Sequence, residues 1–177
     1  MLERKLTLKT AAGNLSATVN EPESASHAFL LAHGAGADHQ HSHMAALAAA
    51  FTQVGFFTLR FNFPFKEAGR NRVDSKEISV TCIQEAAQKL QSECDAPLLI
   101  GGHSFGGRMA THAVAEGKAQ CEAMMLCSYP LHPAGKPGIE RAKHLSDVTV
   151  PMLFLSGTRD KLGEPELLKS RDWKAGQ

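Results

Sequence analysis

The sequence predicts an α/β protein in which a mostly parallel sheet lies between layers of helices. Short, continuous runs of apolar residues alternate with longer segments whose apolar residues recur at helical spacing. Continuous apolar runs are typical of strands covered on both faces, and alternation of strands with helices is typical of parallel sheets. The 177 residues suffice for one compact domain, which we assign to positions 1–177.

The predicted elements begin with a hairpin and continue as alternating strands and helices. Leu6 to Lys9 and Leu15 to Val19 alternate with a period of two around a turn, which predicts an antiparallel pair. Ser75 suits a helix N-cap, and Pro165 suits the first turn of a helix. The further predicted strands are 28–32, 56–61, 97–101, 123–127 and 150–155, and the predicted helices are 44–54, 75–94, 108–116, 140–145 and 164–169.

Composition and charge argue against several functional classes. The 19 basic and 18 acidic side chains give a net charge of +1, so no strong field attracts nucleic acid or an anionic membrane. No segment approaches the roughly 20 apolar residues that cross a bilayer, and Met1 to Lys9 lacks the apolar run of a signal peptide. The four cysteines lack the close spacing of a zinc or redox motif. We therefore expect a cytoplasmic protein without a cofactor, and without nucleic acid or membrane as a partner.

The most specific motif is Gly102-His103-Ser104-Phe105-Gly106, which stands between a predicted strand and a predicted helix. Gly-x-Ser-x-Gly in this context is a nucleophile elbow, in which strained backbone raises the serine hydroxyl above the end of the sheet. Ser104 is therefore the predicted nucleophile. The N–H of Phe105, at the start of the helix, is a predicted oxyanion donor.

Two other interpretations of this glycine-rich segment are weaker. A phosphate-binding loop continues with Lys and then Ser or Thr, whereas this chain has Gly107 and Arg108 there. A purely structural glycine turn does not require the strand and helix that flank Ser104. Because the position before the nucleophile usually faces inward, we expect His103 to be a packed histidine and not the base.

A second glycine-rich segment, His33-Gly34-Ala35-Gly36-Ala37, follows an earlier predicted strand. In hydrolases with this elbow, the other oxyanion donor comes from a loop at this position. We therefore predict that the N–H of Ala35 or Gly36 is the second donor.

Three closely spaced histidines, His39, His41 and His43, follow this segment and raise the alternative of a metal site. Metal-hydrolase loops usually have an aspartate before the last ligand, whereas Ser42 precedes His43 here. Asp38 is the nearby carboxylate. We predict no metal and interpret these histidines as a polar entry to a helix.

Asp160 is the predicted acid of the catalytic set. It follows the predicted strand 150–155 in the loop where this fold carries its carboxylate, downstream of the serine. The alternative is a solvated carboxylate paired with Arg159.

Together these segments resemble a family of small, dienelactone-hydrolase-like α/β-hydrolases similar to testis-expressed protein thirty and to regulatory subunit three of the nonspecific-lethal histone acetyltransferase complex. The resemblance covers most of residues 28–163. It implies an α/β-hydrolase fold with a serine nucleophile and, in many bacterial members, ester or thioester hydrolysis. Other members keep the fold inside a complex without demonstrated chemistry. The matching segments are 33–37, 60–70, 102–109, 129–137 and 157–160.

The resemblance also implies a further strand and a histidine after the acid, but none of the residues after Asp160 is histidine. We therefore expect a C-terminally shortened fold without the last strand and helix. His132, in the loop after strand 123–127, is the best substitute base by position, the alternative being a histidine that shapes the pocket. A partner chain is another source of the base, since the open sheet edge would suit a homodimer.

The sequence thus predicts a carboxylesterase- or thioesterase-like serine hydrolase that acts on a small acyl substrate, impaired by the missing histidine. The alternative is a noncatalytic binding protein or complex subunit. Arg60 and Arg70 are candidates for binding an anionic substrate group, or else they pair with Glu67 or bond to carbonyls.

Overall fold

The structure is a computed structural model that describes residues 2–169. Its strands are β1 (Leu2–Thr10), β2 (Gly13–Glu21), β3 (His27–Ala32), β4 (Phe56–Phe61), β5 (Leu98–His103), β6 (Ala123–Cys127) and β7 (Met152–Leu155). Its helices are α1 (Ser42–Gln53), α2 (Pro64–Glu67), α3 (Lys76–Glu93), α4 (Phe105–Ala115) and α5 (Pro165–Lys169), with a short 3-10 helix at Lys143–Asp147.

The strands form one sheet in the order β1-β2-β4-β3-β5-β6-β7. The opening hairpin is antiparallel, and β2 is also antiparallel to β4. All the other neighbouring strands are parallel. The predicted α/β-hydrolase fold, with a mostly parallel sheet and flanking helices, is confirmed. The carboxyl ends of β3, β5, β6 and β7 therefore meet at one edge of the sheet, where this fold binds its ligands.

Strand β3 shows why its apolar run is continuous. Leu30 faces the larger core with the apolar residues of α3 and α4, whereas Phe29 and Leu31 face a smaller core with Met44 and Ala48 of α1. Successive side chains point to opposite faces of a strand, so a strand covered by helices on both sides has no polar face.

Some elements differ from those predicted. Helix α2 was not predicted, because one turn that begins at Pro64 is too short for a periodic signal. The predicted helix 140–145 is instead a 3-10 helix at Lys143–Asp147. Ser75 does cap α3, accepting a hydrogen bond from the N–H of Ile78. The side chain of Ile78 itself is exposed.

Strand β7 is the last strand of the sheet within residues 2–169, and Leu153 and Leu155 on one of its faces are exposed. A homodimer through this edge stays a prediction. All four cysteines are free thiols. None of the helices in residues 2–169 combines the length and the apolar composition that a membrane span requires.

Candidate functional site

Ser104 occupies a sharp bend between β5 and α4. Its backbone has φ 50° and ψ −112°, a conformation that costs a non-glycine residue about 1–3 kcal/mol. Hydrogen bonds on both sides hold it: its N–H donates to the carbonyl of Cys127 at 2.8 Å, and its carbonyl accepts from the N–H of Arg108 at 3.0 Å. The strand, strained serine and helix form the predicted elbow geometry.

Two glycines allow the elbow to lie directly against β3. A Cβ atom on Gly102 would be 2.3 Å from the carbonyl oxygen of Ala32, and one on Gly106 would be 2.5 Å from the same oxygen. Both distances are far shorter than a van der Waals contact. Any side chain at either position would therefore push the elbow away from β3.

The loop after β3 passes beside the nucleophile. A Cβ atom on Gly34 would be 3.6 Å from the Cβ of Ser104. The N–H of Ala37 donates to the carbonyl of Gly34 at 3.1 Å, which closes a turn whose central residues, Ala35 and Gly36, are exposed. Within residues 2–169, the N–H groups of Ala35 and Gly36 have no hydrogen-bond partner, so they are available to an oxygen bound above Ser104.

His33 fixes the shape of this loop, a role that the sequence motif alone did not indicate. Its side chain is fully buried. Nδ1 lies 2.8 Å from the carbonyl oxygen of Gly34, and Nε2 lies 3.1 Å from the backbone nitrogen of Phe63. Burial lowers the pKa of His33 to about 4. The neutral ring can therefore donate from Nδ1 and accept at Nε2, which ties the loop to the end of β4.

Asp160 follows β7 and has one free carboxylate oxygen. Oδ1 accepts a hydrogen bond from the N–H of Leu162 at 2.9 Å. Oδ2 is buried and, like the hydroxyl of Ser156, has no hydrogen-bond partner within the described residues. Both atoms lie near Gly163, at 3.4 and 3.6 Å from the position of an ideal Cβ. Arg159 is exposed and forms no ion pair in this part of the chain, so it does not neutralise Asp160.

His132 is buried, with 2% of its surface exposed. Its Nδ1 lies 2.9 Å from the carbonyl oxygen of Pro133, and its Nε2 has no partner among residues 2–169. The hydroxyl of Ser104 forms no hydrogen bond with His132 or with another histidine of the described chain. The structure therefore does not form a Ser104–His132 dyad, and the role of His132 stays a prediction.

The other histidines near the site have separate partners. His39 is buried and bonds through Nδ1 to Asn62, while the side chain of His41 accepts from the N–H of His43 at the start of α1. The ring of His43 lies edge-on to that of His103, with centroids 5.1 Å apart. His103 is thus half-buried at the site and not packed in the core. Burial lowers its pKa, and the charge of Asp160 opposes that shift.

Arg60 and Arg70 both have protein partners. Arg60 is buried and donates to the carbonyl of His39 and to Glu3. Arg70 pairs with Asp74 at 2.8 Å. Both arginines therefore have internal partners, which was the alternative to binding an anionic substrate group. The acidic partners are Glu3 and Asp74 rather than the predicted Glu67.

Comparisons with known proteins concern the fold and the family. Solved structures of similar fold include a lidless α/β serine hydrolase from Xanthomonas campestris (TM-score 0.76, 20% identity, 95% of this chain and 77% of that one). A serine hydrolase homologue from Coxiella burnetii gives a TM-score of 0.81 at 17% identity, over 100% of this chain and 84% of that one. A dienelactone hydrolase from Anabaena variabilis gives a TM-score of 0.67 at 16% identity, over 96% of this chain and 92% of that one. These likenesses establish the fold. Residues 25–176 match the family described as the alpha/beta hydrolase domain, and the chain therefore belongs to that family.

Proposed function

We propose that this protein is a serine hydrolase that cleaves an ester or thioester of a small acyl substrate, with Ser104 as the nucleophile. One observation carries the proposal. Within residues 2–169, two non-glycine residues have positive φ, Ser104 at 50° and Ser128 at 48°, and both follow a parallel strand. Ser104 is the one that is followed by a helix and lies beside the unused N–H groups of Ala35 and Gly36. Strain of this kind persists where the surrounding structure imposes it, and it is concentrated at functional sites.

The proposed reaction has two steps. The Ser104 hydroxyl oxygen attacks the carbonyl carbon and loses its proton to a base. The resulting oxyanion accepts hydrogen bonds from the N–H of Phe105 and from that of Ala35 or Gly36. The alcohol or thiol then leaves with a proton, and water hydrolyses the acyl-serine in the same way.

Asp160 is the proposed orienting acid, and its free Oδ2 supports that role. An imidazole N–H is the partner that such a carboxylate holds in a serine hydrolase. His132 remains the candidate base within this chain, although it does not contact the Ser104 hydroxyl. Without an imidazole at Ser104 we expect impaired turnover, because the oxyanion donors and substrate binding alone give roughly 10³–10⁴-fold acceleration over water.

The test is covalent labelling by a fluorophosphonate, together with turnover of p-nitrophenyl acetate. Wild type and Ser92→Ala, an exposed serine on α3, should be labelled and should turn over the ester. Ser104→Ala should do neither. Labelling that persists in Ser104→Ala would assign the reactivity to another residue and contradict the proposal.

A noncatalytic binding protein or complex subunit is the second candidate, consistent with the resemblance to members that act inside complexes. The observation that favours it is the lack of a hydrogen bond between Ser104 and a histidine of the described chain. Wild-type protein that is folded but neither labelled nor active would support this candidate.

A further inference from the structure

Two arginines from distant parts of the sequence lie on neighbouring segments, and one of them is on the helix that begins after Ser104. Arg108 is one helical turn beyond Ser104 on α4, about 6 Å along the helix axis. Arg141 lies in the segment between β6 and the 3-10 helix. The hydroxyl of Thr111 donates to the carbonyl of Arg108 at 2.8 Å and lies 3.3 Å from the hydroxyl of Tyr129, which donates to the carbonyl of Arg141 at 3.0 Å. Adjacent hydroxyls therefore fix the two main chains.

Neither guanidinium has an acidic partner in residues 2–169. Arg4, Arg60 and Arg70 each have a carboxylate oxygen at 2.7–3.1 Å. Arg108 instead faces the ring of Phe105, with Cζ 6.0 Å from the centroid, and its buried Nε has no hydrogen-bond partner in the described chain. The guanidinium of Arg141 donates to the carbonyl of His132 at 3.4 Å. Both arginines are half-buried, so water does not fully compensate for the missing carboxylates.

The surroundings carry an excess of positive charge. Burial and then the charge of Arg141 lower the pKa of Arg108. Burial also lowers the pKa of His112 to about 4, with Arg108 the next cause. Glu116 is the acid that opposes this shift, and it is already paired with Lys76 at 2.8 Å. Two like charges in a partly desolvated place cost free energy that an anion would recover.

We propose that Arg108 and Arg141 form a subsite for an anionic group, a carboxylate or a phosphate, carried by the substrate of Ser104. The inference rests on the proposed function, since it names the substrate class of that site. Guanidinium groups present N–H donors in a planar fork that matches the oxygens of carboxylates and phosphates. Because Arg108 follows Ser104 by a single turn, we expect the anionic group to lie within several bonds of the ester carbonyl.

The first experiment compares two esters that differ in charge at one group, 4-acetoxybenzoate and its methyl ester. The measured quantity is the ratio of their kcat/KM values. Wild type and Arg72→Gln, an exposed arginine outside the site, should prefer the carboxylate equally. Arg108→Gln and Arg141→Gln should each lower this ratio at least about tenfold, as loss of a charge-assisted hydrogen bond predicts. An unchanged ratio in both variants overturns the subsite.

The second experiment measures binding without turnover. Inorganic phosphate and 4-hydroxybenzoate are titrated into Ser104→Ala, and the melting temperature is recorded. A rise with one of these probes that disappears in Ser104→Ala/Arg108→Gln supports the subsite and identifies its anion. Absence of a rise with both probes overturns it. Ser104→Ala/Arg108→Lys keeps the positive charge but lacks the planar guanidinium, so it should show only part of the rise in melting temperature. Anion binding in a protein without esterase activity would leave the subsite standing while the proposed function fails.

Discussion

Replacement of Gly106 by alanine tests the close approach between the elbow and β3. The added Cβ would lie 2.5 Å from the carbonyl oxygen of Ala32 and 2.6 Å from that of His33. The helix must therefore move away by roughly 1 Å to restore ordinary contact distances. Overpacking of this kind costs about 1–3 kcal/mol, whereas alanine in a helix otherwise gains about 1 kcal/mol over glycine. Both oxygens belong to the backbone and cannot swing aside, so the cost should fall in the upper part of that range, and the expected net destabilisation is about 1–2 kcal/mol.

The assay is thermal and urea unfolding of Gly106→Ala beside Gly157→Ala. A Cβ on Gly157 would meet no atom within 4 Å, so that variant should unfold within about 0.5 kcal/mol of wild type. Gly106→Ala should melt about 2–8 °C lower, and its fluorophosphonate labelling should slow because Ser104 moves with the helix. Equal stability of the two variants would refute the steric argument.

Three further predictions concern titratable groups. Asp160→Asn should lower p-nitrophenyl acetate turnover at least about tenfold, because it removes the proposed orienting acid. The melting temperature should not fall, because Oδ2 has no partner to lose among residues 2–169; a large loss of stability would argue for a structural role. His33→Leu should destabilise the protein by about 1–3 kcal/mol and slow labelling, since it leaves the N–H of Phe63 and the carbonyl of Gly34 without their partner. Unchanged labelling at reduced stability would show that the loop does not contribute to the reactivity of Ser104. Burial lowers the pKa values of His112 and His144 from the ordinary 6.5 to about 4 and about 3. As pH falls below 6.5 the unfolded chain binds protons first, so the free energy of unfolding should decrease towards pH 4, by about 1 kcal/mol per histidine at pH 5 after allowance for solvent screening. The double variant His112→Gln/His144→Gln should reduce that loss in urea titrations at pH 7.5 and 5, and an identical pH dependence in both proteins would contradict it.

The elbow could be predicted from the sequence because its determinants are local. Gly102, Ser104 and Gly106 lie within five positions, and the strand before them and the helix after them are also evident from adjacent residues. The parallel sheet was predictable for a similar reason, since burial on both faces leaves continuous apolar runs such as Phe29 to Leu31.

The remainder of the site depends on tertiary contacts that no spacing rule contains. Arg108 and Arg141 are brought together through the hydroxyls of Thr111 and Tyr129, and neither arginine belongs to a motif that marks a pair. His132 follows β6 as the sequence predicts, but its distance from Ser104 depends on how the loop after β6 turns back. That loop is held by a long-range bond from the N–H of Leu131 to the carbonyl of Leu162.

Gly102 and Gly106 both lie against the carbonyl of Ala32, and this has a consequence for redesign of the site. Bulk added to either glycine displaces the same strand, so substitutions at the two positions should not act independently. Variation intended to change substrate preference should instead target the segments 129–141 and 156–163, which follow β6 and β7 at the edge of the sheet where Ser104 lies.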